Sequence, residues 1–147
     1  MNEVLVLGIG NRLMMDDGIG VYVVEELKER NTITGIRYVI GETDTYFCLN
    51  QIQESSYIII VDAASFDKEP GTISTIPLQH VMKNSMQPIS IHESHLLNEI
   101  KMRGKSFEGV FIGIEPYEVN YWPNLSTILQ GQFNRIVEEI ESIVISF

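Results

Sequence analysis

Cysteine, basic residues and long hydrophobic runs are scarce in this sequence. Its 147 residues include one cysteine, Cys48, which excludes an internal disulfide. We therefore expect a reducing, cytoplasmic setting. Lys and Arg number 10 against 20 Asp and Glu, which gives a formal net charge of −10. No nucleic-acid partner is expected, because phosphate contacts need clustered basic side chains.

The longest apolar runs have only the length of strands, and they lie at Val4–Gly10 and Tyr57–Val61. A membrane-spanning helix needs about 20 apolar residues, and the first residues lack the basic stretch of a signal peptide. Neither a membrane span nor a membrane partner is expected. The composition is globular, with 44% hydrophobic and 20% charged residues. We predict a single domain over residues 1–147.

Apolar runs typical of buried strands alternate along the chain with amphipathic helical segments. The predicted strands are Val4–Leu7, Ile36–Ile40, Tyr57–Val61, Pro70–Pro77 and Gly109–Ile114. The predicted helices are Gly18–Arg30, a short one around Cys48, one opened by a capping box at Ser90–Glu93, and a long last one from Leu125. This alternation predicts an α/β fold, a three-layer sandwich whose doubly wound sheet is mostly parallel and has helices on both faces.

Acidic residues follow several of these strands. Asp16 and Asp17 come after the first strand, Asp62 directly follows the third, and Glu115 follows the last. His92 lies in the first turn of a predicted helix. Because ligands bind beyond the carboxyl ends of strands in such sheets, we expect these side chains to converge on one edge.

The loop after the first strand resembles a dinucleotide-binding turn only in its first two glycines. Leu13 occupies the place of the third glycine that such a fingerprint needs for close packing of helix and strand. Asp16 and Asp17 would also repel a phosphate at the helix start. One of these carboxylates can cap the helix while the other points elsewhere. Gly18 and Gly20 should keep the first turn slim enough for another chain to approach.

His92, Asp17 and Asp62 together would form a borderline-to-hard ligand set. The dipole of its helix should keep the His92 imidazole neutral and able to bind a metal. Such a set suits zinc, nickel or another divalent transition metal, with positions left open for further ligands. The residues alone leave open a plainer interpretation, in which His92 is an ordinary polar surface residue.

Five separated motifs resemble those of the hydrogenase maturation endopeptidases, in the same order and spacing. They are GIGNRLMMDDGIGVYVVEEL at Gly8–Leu27, IIIVDAAS at Ile58–Ser65, GTISTIPL at Gly71–Leu78, SIHESHLLNEI at Ser90–Ile100 and GVFIGIEPYEVNYWPNLS at Gly109–Ser126. The resemblance covers nearly the whole chain and implies the doubly wound α/β sandwich. It implies one cut that removes a C-terminal extension from the large-subunit precursor of a nickel–iron hydrogenase.

The resemblance also implies roles for three residues. The metal-contacting and catalytic positions of the family map onto Asp17, Asp62 and His92. The implied metal is nickel already seated in the substrate, although the isolated protein would accept other divalent metals. One carboxylate would act as general base, and the sequence does not say which.

Two departures from the family bear on these expectations. Asp17 stands where the family often has Glu, and Gly41–Asn50 matches less well because the family has a more glycine-rich turn there. Three other functions stay open: a non-catalytic factor that binds nickel or its client, a related endopeptidase with another substrate, and a nucleotide-dependent enzyme.

Four further residues receive a structural interpretation. Cys48 is expected in the core, since free cysteines are commonly buried. Glu115 is expected to mark a turn at a strand end, because proline follows it. Tyr121 and Trp122 are expected to serve packing rather than recognition.

Overall fold

The structure, a computed structural model, describes residues 3–30, 33–52, 55, 57–83, 91–102 and 107–147, without the side chains of residues 82, 83 and 91–95. The strands are β1 (Val4–Ile9), β2 (Ile36–Glu42), β3 (Tyr57–Ala63), β4 (Ile73–Pro77) and β5 (Gly109–Ile114). The helices are α1 (Ile19–Arg30), α2 (Thr45–Ile52), α3 (Leu78–Lys83), α4 (Ile91–Met102) and α5 (Thr127–Ile145). Within these ranges, no helix combines the length and the apolar character that a membrane span requires.

The five strands form one sheet in the order β2-β1-β3-β5-β4. β1 pairs in parallel with both β2 and β3, and β3 pairs in parallel with β5. β4 is the antiparallel edge strand, paired only with β5. Pro77 ends β4, and an edge strand tolerates proline because one side of its backbone needs no ladder partner. The mostly parallel sheet and its proline-flanked edge strand are confirmed.

Alternate side chains of each central strand enter two separate cores on opposite faces of the sheet. On one face, Val6, Ile59 and Ile112 are buried against α1 and α5. On the other face, Leu5, Ile60 and Phe111 are buried with residues of α2, α3 and α4. A strand covered on both faces must be apolar at every position, which explains the continuous apolar runs. The predicted three-layer sandwich is confirmed.

The ends of several elements differ from the sequence prediction. β1 and β2 each extend two residues further, to Ile9 and Glu42, and β4 begins only at Ile73. β3 continues through Asp62 to Ala63 instead of ending at Val61. A 3₁₀ turn, Met15–Gly18, precedes α1 and contains both aspartates. α5 begins only after Ser126, whose hydroxyl accepts a hydrogen bond from the Leu129 backbone N–H. Ser90, the proposed cap of α4, lies outside the described residues.

α1 packs unusually close to the sheet because of Gly20. A Cβ at Gly20 would lie 2.3 Å from the carbonyl oxygen of Val61 and 2.8 Å from that of Ile9. Such distances are far below van der Waals contact, so a side chain at Gly20 would force helix and strands apart. Gly20 therefore lets α1 pack against β1 and β3 of the same chain. The expectation that Gly20 makes room for another chain is wrong.

Candidate functional site

The carboxyl ends of β1 and β3 form the topological switch point of the sheet. After β1 the chain continues to β2 on one side, and after β2 it crosses to β3 on the other side. The two connections run over opposite faces, so they leave a crevice where the strands end. Asp17 follows β1, and Asp62 is the penultimate residue of β3. The prediction that polar residues converge at this edge is correct for both carboxylates.

Asp16 and Asp17 point to different surroundings. Asp16 is fully buried, and its carboxylate accepts four hydrogen bonds at 2.7–2.9 Å from the loop between β5 and α5. The donors are the backbone N–H groups of Tyr117, Glu118 and Ser126 and the hydroxyl of Ser126. Asp16 is thus the structural carboxylate of the pair, as a buried charge must be well hydrogen-bonded.

Asp17 is half-buried and faces the loop that follows β1. Its Oδ2 accepts a hydrogen bond of 3.0 Å from the backbone N–H of Asn11. A Cβ at Gly10 would lie 2.2 Å from the carbonyl oxygen of Asp17 and 3.4 Å from Oδ1 of Asp62. The backbone oxygen of Asp17 and Oδ1 of Asp62 therefore both lie next to the same point, the Cβ position of Gly10. Gly10, at φ +136°, allows both aspartates to approach the same point.

This packing also argues against a phosphate-binding site in the loop after β1. The space that a Cβ would take at Gly10 is occupied by the Asp17 carbonyl oxygen, and the space at Gly8 is occupied by the Gly20 carbonyl oxygen at 2.7 Å. The Asn11 N–H donates to a carboxylate of the chain itself. Backbone groups that would cradle a phosphate are thus committed to internal contacts.

Asp62 is fully buried at the end of β3. Its Oδ1 accepts a 2.8 Å hydrogen bond from the backbone N–H of Ala63. β1 pairs with β3 only up to Val61, so Asp62 lies just beyond the last paired residue of β1. The sheet itself therefore fixes the position of this carboxylate next to the loop that carries Asp17.

His92 lies in the first turn of α4, and its side chain is outside what the structure describes. Because α4 is followed by β5, which begins at the amino edge of the sheet, α4 must start near the carboxyl edge. Leu96, one helical turn after His92, is buried and lines a small cavity together with Ile9 and Cys48. The first turns of α4 thus lie on the side of the sheet where β1 ends.

Two of the three predicted ligand residues, Asp17 and Asp62, lie beside Gly10 in the described structure. The carboxylates of Asp17 and Asp62 supply hard oxygen donors of the kind that divalent cations accept. Among the side chains that the structure describes, no three His, Cys, Asp or Glu residues form a group fit to hold a metal. The ligand set of Asp17, Asp62 and His92 therefore stays a prediction.

Comparison with known proteins gives the family. The chain matches the HycI family, hydrogenase maturation protease, over residues 21–143, which include Asp62 and His92. The chain belongs to this family of peptidases. A hydrogenase expression/formation protein, HupD of Rhodobacter capsulatus, is 30% identical over 144 residues, 93% of this chain and 69% of its own length.

Solved structures agree with the fold. The chain aligns with the hydrogenase maturating endopeptidase HybD from Escherichia coli at a TM-score of 0.81 and 23% identity, covering 98% of this chain and 93% of that one. It aligns with the [NiFe] hydrogenase maturation protease HybD from Thermococcus kodakarensis at a TM-score of 0.77 and 27% identity, covering 96% and 98%.

Coverage of the curated relatives varies. A Methanocaldococcus jannaschii protein, described provisionally as a hydrogenase maturation protease, is 29% identical, and the match spans 97% of this chain and 94% of that protein. The chain spans 66% of the length of HupD from Bradyrhizobium diazoefficiens, over which the two are 28% identical.

Arg12 holds the loop after β1 of this maturation protease in place through two ion pairs. The sequence analysis did not predict this role. Its guanidinium donates to the Glu25 carboxylate on α1 and, at 2.7 Å, to Glu42 at the end of β2. It also lies 5.7 Å from the ring centre of Tyr22. The Glu25 hydrogen bond, followed by the contact with Glu42, raises the pKa of Arg12 despite its partial burial. Arg12 therefore anchors the loop after β1. Its neighbour in that loop, Asn11, donates its backbone N–H to the Asp17 carboxylate.

Cys48 and Glu115 of the protease have structural roles, as predicted. Cys48 is buried in the core between sheet and α4, and this burial raises the pKa of its thiol to about 12. Glu115 is buried at the end of β5 and accepts hydrogen bonds from the Phe66 backbone N–H at 2.8 Å and the Ser65 hydroxyl at 3.2 Å. Glu115 thus ties two loops together.

The prediction for Tyr121 and Trp122 is wrong. The two residues are 76% and 60% exposed, so they do not pack in the core of the protease. The backbone, and not the aromatic rings, holds this segment in place. Trp122 donates its N–H to the Leu13 carbonyl and accepts from the Met15 N–H, both at 2.9 Å. No signal in the sequence distinguishes such a backbone-anchored loop from a packed one.

Proposed function

We propose that this protease removes the C-terminal extension from the large-subunit precursor of a nickel–iron hydrogenase, in the cytoplasm. The observation that carries the proposal is the placement of two carboxylates, Asp17 and Asp62, beside Gly10 at the switch point of a hydrogenase maturation protease fold. The family supplies the reaction class, and the crevice at the switch point is the site that we propose for it. In the proposal, Asp17, Asp62 and His92 recognise nickel that the precursor already carries.

Recognition through the metal would make the presence of nickel in the precursor a condition for its cleavage. Two carboxylates and an imidazole suit a divalent transition metal, and such a set leaves coordination positions for ligands from the substrate. A precursor without nickel would lack the contact that positions its scissile bond. Positioning of this kind contributes several kcal/mol to a rate, about 7–11 in favourable intramolecular cases. The ion belongs to the substrate and acts as a checkpoint.

Peptide hydrolysis needs a base for water and an acid for the leaving amine. A carboxylate accepts a proton as the water oxygen attacks the scissile carbonyl, and the same proton then passes to the leaving nitrogen as the C–N bond breaks. Asp17 suits this role better than Asp62, because Asp17 is half-exposed whereas Asp62 is fully buried. The proposal therefore assigns the base to Asp17 and a purely metal-orienting role to Asp62.

The test is a processing assay with purified, nickel-loaded precursor. Intact mass spectrometry follows the loss of the C-terminal peptide with wild type and with Asp17→Ala, Asp62→Ala and His92→Ala. We expect at least ~100-fold slower processing for each variant, the scale of losing a general base or a positioned ligand. Wild type should leave nickel-free precursor intact.

Two matched variants control for nonspecific effects. His80→Ala removes an exposed histidine outside the motifs, and Glu108→Ala removes an exposed carboxylate at the amino edge of the sheet. Both should process the precursor at the wild-type rate. Normal processing by all three site variants would refute the proposed site. A stable complex without any mass shift would instead identify a non-catalytic binding factor.

A further inference from the structure

Five large apolar side chains are exposed beside the candidate site. They are Leu13, Tyr117, Val119, Tyr121 and Trp122, with exposed fractions from 46% to 76%. We call this group the aromatic ridge. Side chains of this type are commonly buried, and contiguous exposed patches of them mark interaction sites.

The ridge is built on a backbone that the fold holds firmly. The Asp16 carboxylate accepts from the N–H groups of Tyr117 and Glu118, each at 2.9 Å. At the other end, Trp122 exchanges backbone hydrogen bonds with Leu13 and Met15. Aromatic side chains on a fixed backbone lose little conformational freedom on binding, because each has only two rotatable angles. The ridge is thus suited to serve as a preformed contact surface.

The ridge is continuous with the candidate site. Leu13 and Asp17 belong to one short loop, and Asp16, which holds the ridge, is the residue next to Asp17. The ridge therefore starts on the loop that carries Asp17, and the buried carboxylate of Asp16 joins its other residues to that loop. A surface beside a cleavage site most simply contacts the molecule that is cleaved.

The charge around the ridge indicates what kind of surface it contacts. From Ser106 to Asn134 the sequence has no Lys or Arg, and Glu118 lies within the ridge segment. The nearby Arg12 is already paired with Glu25 and Glu42. The ridge segment itself, Tyr117–Leu125, thus carries one negative charge and no positive charge. A complementary partner has an apolar patch bordered by Lys or Arg, which can pair with Glu118 and stack on the exposed rings.

We propose that the aromatic ridge docks the folded protein substrate of this protease through an apolar patch with a basic rim. The substrate's identity rests on the proposed function, but the docking does not require that the cut occurs. Trp122 and Tyr121 are the expected anchors, since tryptophan and tyrosine are enriched among residues that dominate binding. Glu118 sets the charge of the rim.

The experiment measures both binding and cleavage of the nickel-loaded large-subunit precursor encoded in the same genome. Calorimetry gives the Kd, and the processing assay gives kcat and KM. For Trp122→Ala and for Tyr121→Ala we expect a Kd and KM raised about 10- to 100-fold, with kcat little changed. Trp122→Phe should restore most of the binding. Glu118→Lys should weaken binding more than Glu118→Gln, and added salt should raise the wild-type Kd.

Phe147→Ala is the matched control, because Phe147 is a half-exposed aromatic that contacts Tyr57 at the amino end of β3. It should bind and cleave like wild type. Urea unfolding and circular dichroism verify that each variant is folded.

The outcomes separate the two proposals. If wild type cleaves the precursor and Trp122→Ala binds it equally well, the docking surface is refuted while the proposed function stands. If wild type binds without cleaving and Trp122→Ala weakens that binding, the docking surface stands while the proposed function fails. Absence of both binding and cleavage with wild type overturns both proposals.

Discussion

Asp16 and Ser126 are joined by two short hydrogen bonds although 110 residues separate them. The Asp16 carboxylate accepts from the Ser126 backbone N–H and from its hydroxyl, both at 2.7 Å. The same hydroxyl caps α5 by accepting from the Leu129 N–H at 3.2 Å. One buried carboxylate therefore fixes the start of the last helix, the loop before it and the position of Asp17.

Asp16→Ala should strongly destabilise the protein. It leaves three backbone N–H groups and one hydroxyl without their acceptor. The two donors of Ser126 are buried, and each unsatisfied buried group costs about 1–3 kcal/mol. We expect a loss of about 3 kcal/mol or more in the free energy of unfolding, measured by urea denaturation. Asp44→Ala is the control, since Asp44 is an exposed carboxylate that caps α2 through Phe47 and should cost about 1 kcal/mol. Equal losses for the two variants would contradict the assignment.

Gly20→Ala should be far more harmful than the same change at Gly131, although both glycines lie in helices. A methyl at Gly20 meets a backbone oxygen of β3 at 2.3 Å and one of β1 at 2.8 Å, whereas nothing lies within 4 Å of a methyl at Gly131. Overpacking against backbone costs about 3 kcal/mol, while Ala at an open helical site gains up to about 1 kcal/mol over Gly. Opposite shifts in the urea midpoint would confirm this. A Gly20→Ala variant as stable as wild type would refute the close packing.

The layers of the fold were predictable because burial on both faces makes a strand apolar throughout. Val4–Ile9 and Gly109–Ile114 have that property, and each is an interior strand of the sheet. Topology then brings the ends of β1 and β3 together, so the neighbourhood of Asp17 and Asp62 followed from strand order rather than from any local motif.

The long-range polar contacts were not predictable. Which of Asp16 and Asp17 is buried depends on the loop at Tyr117–Ser126, about a hundred residues away in sequence. Periodicity reports burial within an element and says nothing about the partner of a loop carboxylate. The exposure of Trp122 was missed for the same reason, because backbone hydrogen bonds leave no trace in composition.

Asp17→Asn should separate chemistry from folding. Asn retains an oxygen that can accept from the Asn11 N–H, so we expect the free energy of unfolding to change by less than about 1 kcal/mol. Loss of the negative charge removes both the proposed base and a metal ligand, so processing should slow by at least ~100-fold. Asp17→Glu keeps the charge and should retain measurable processing. Wild-type rates for Asp17→Asn would exclude a role for the charge.

Cys48 should be unreactive toward alkylating agents in the folded protein. Its ionisation should lower the free energy of unfolding at high pH. Burial raises its pKa from 9.0 to about 12, so the unfolded chain releases the thiol proton at lower pH than the folded one. This contribution to stability is complete below pH 9 and is lost as the pH rises towards 12. Cys48→Ala should show a shallower decline across that window in urea denaturation. Native protein at neutral pH should also resist iodoacetamide, whereas rapid alkylation before unfolding would contradict the buried position of the thiol.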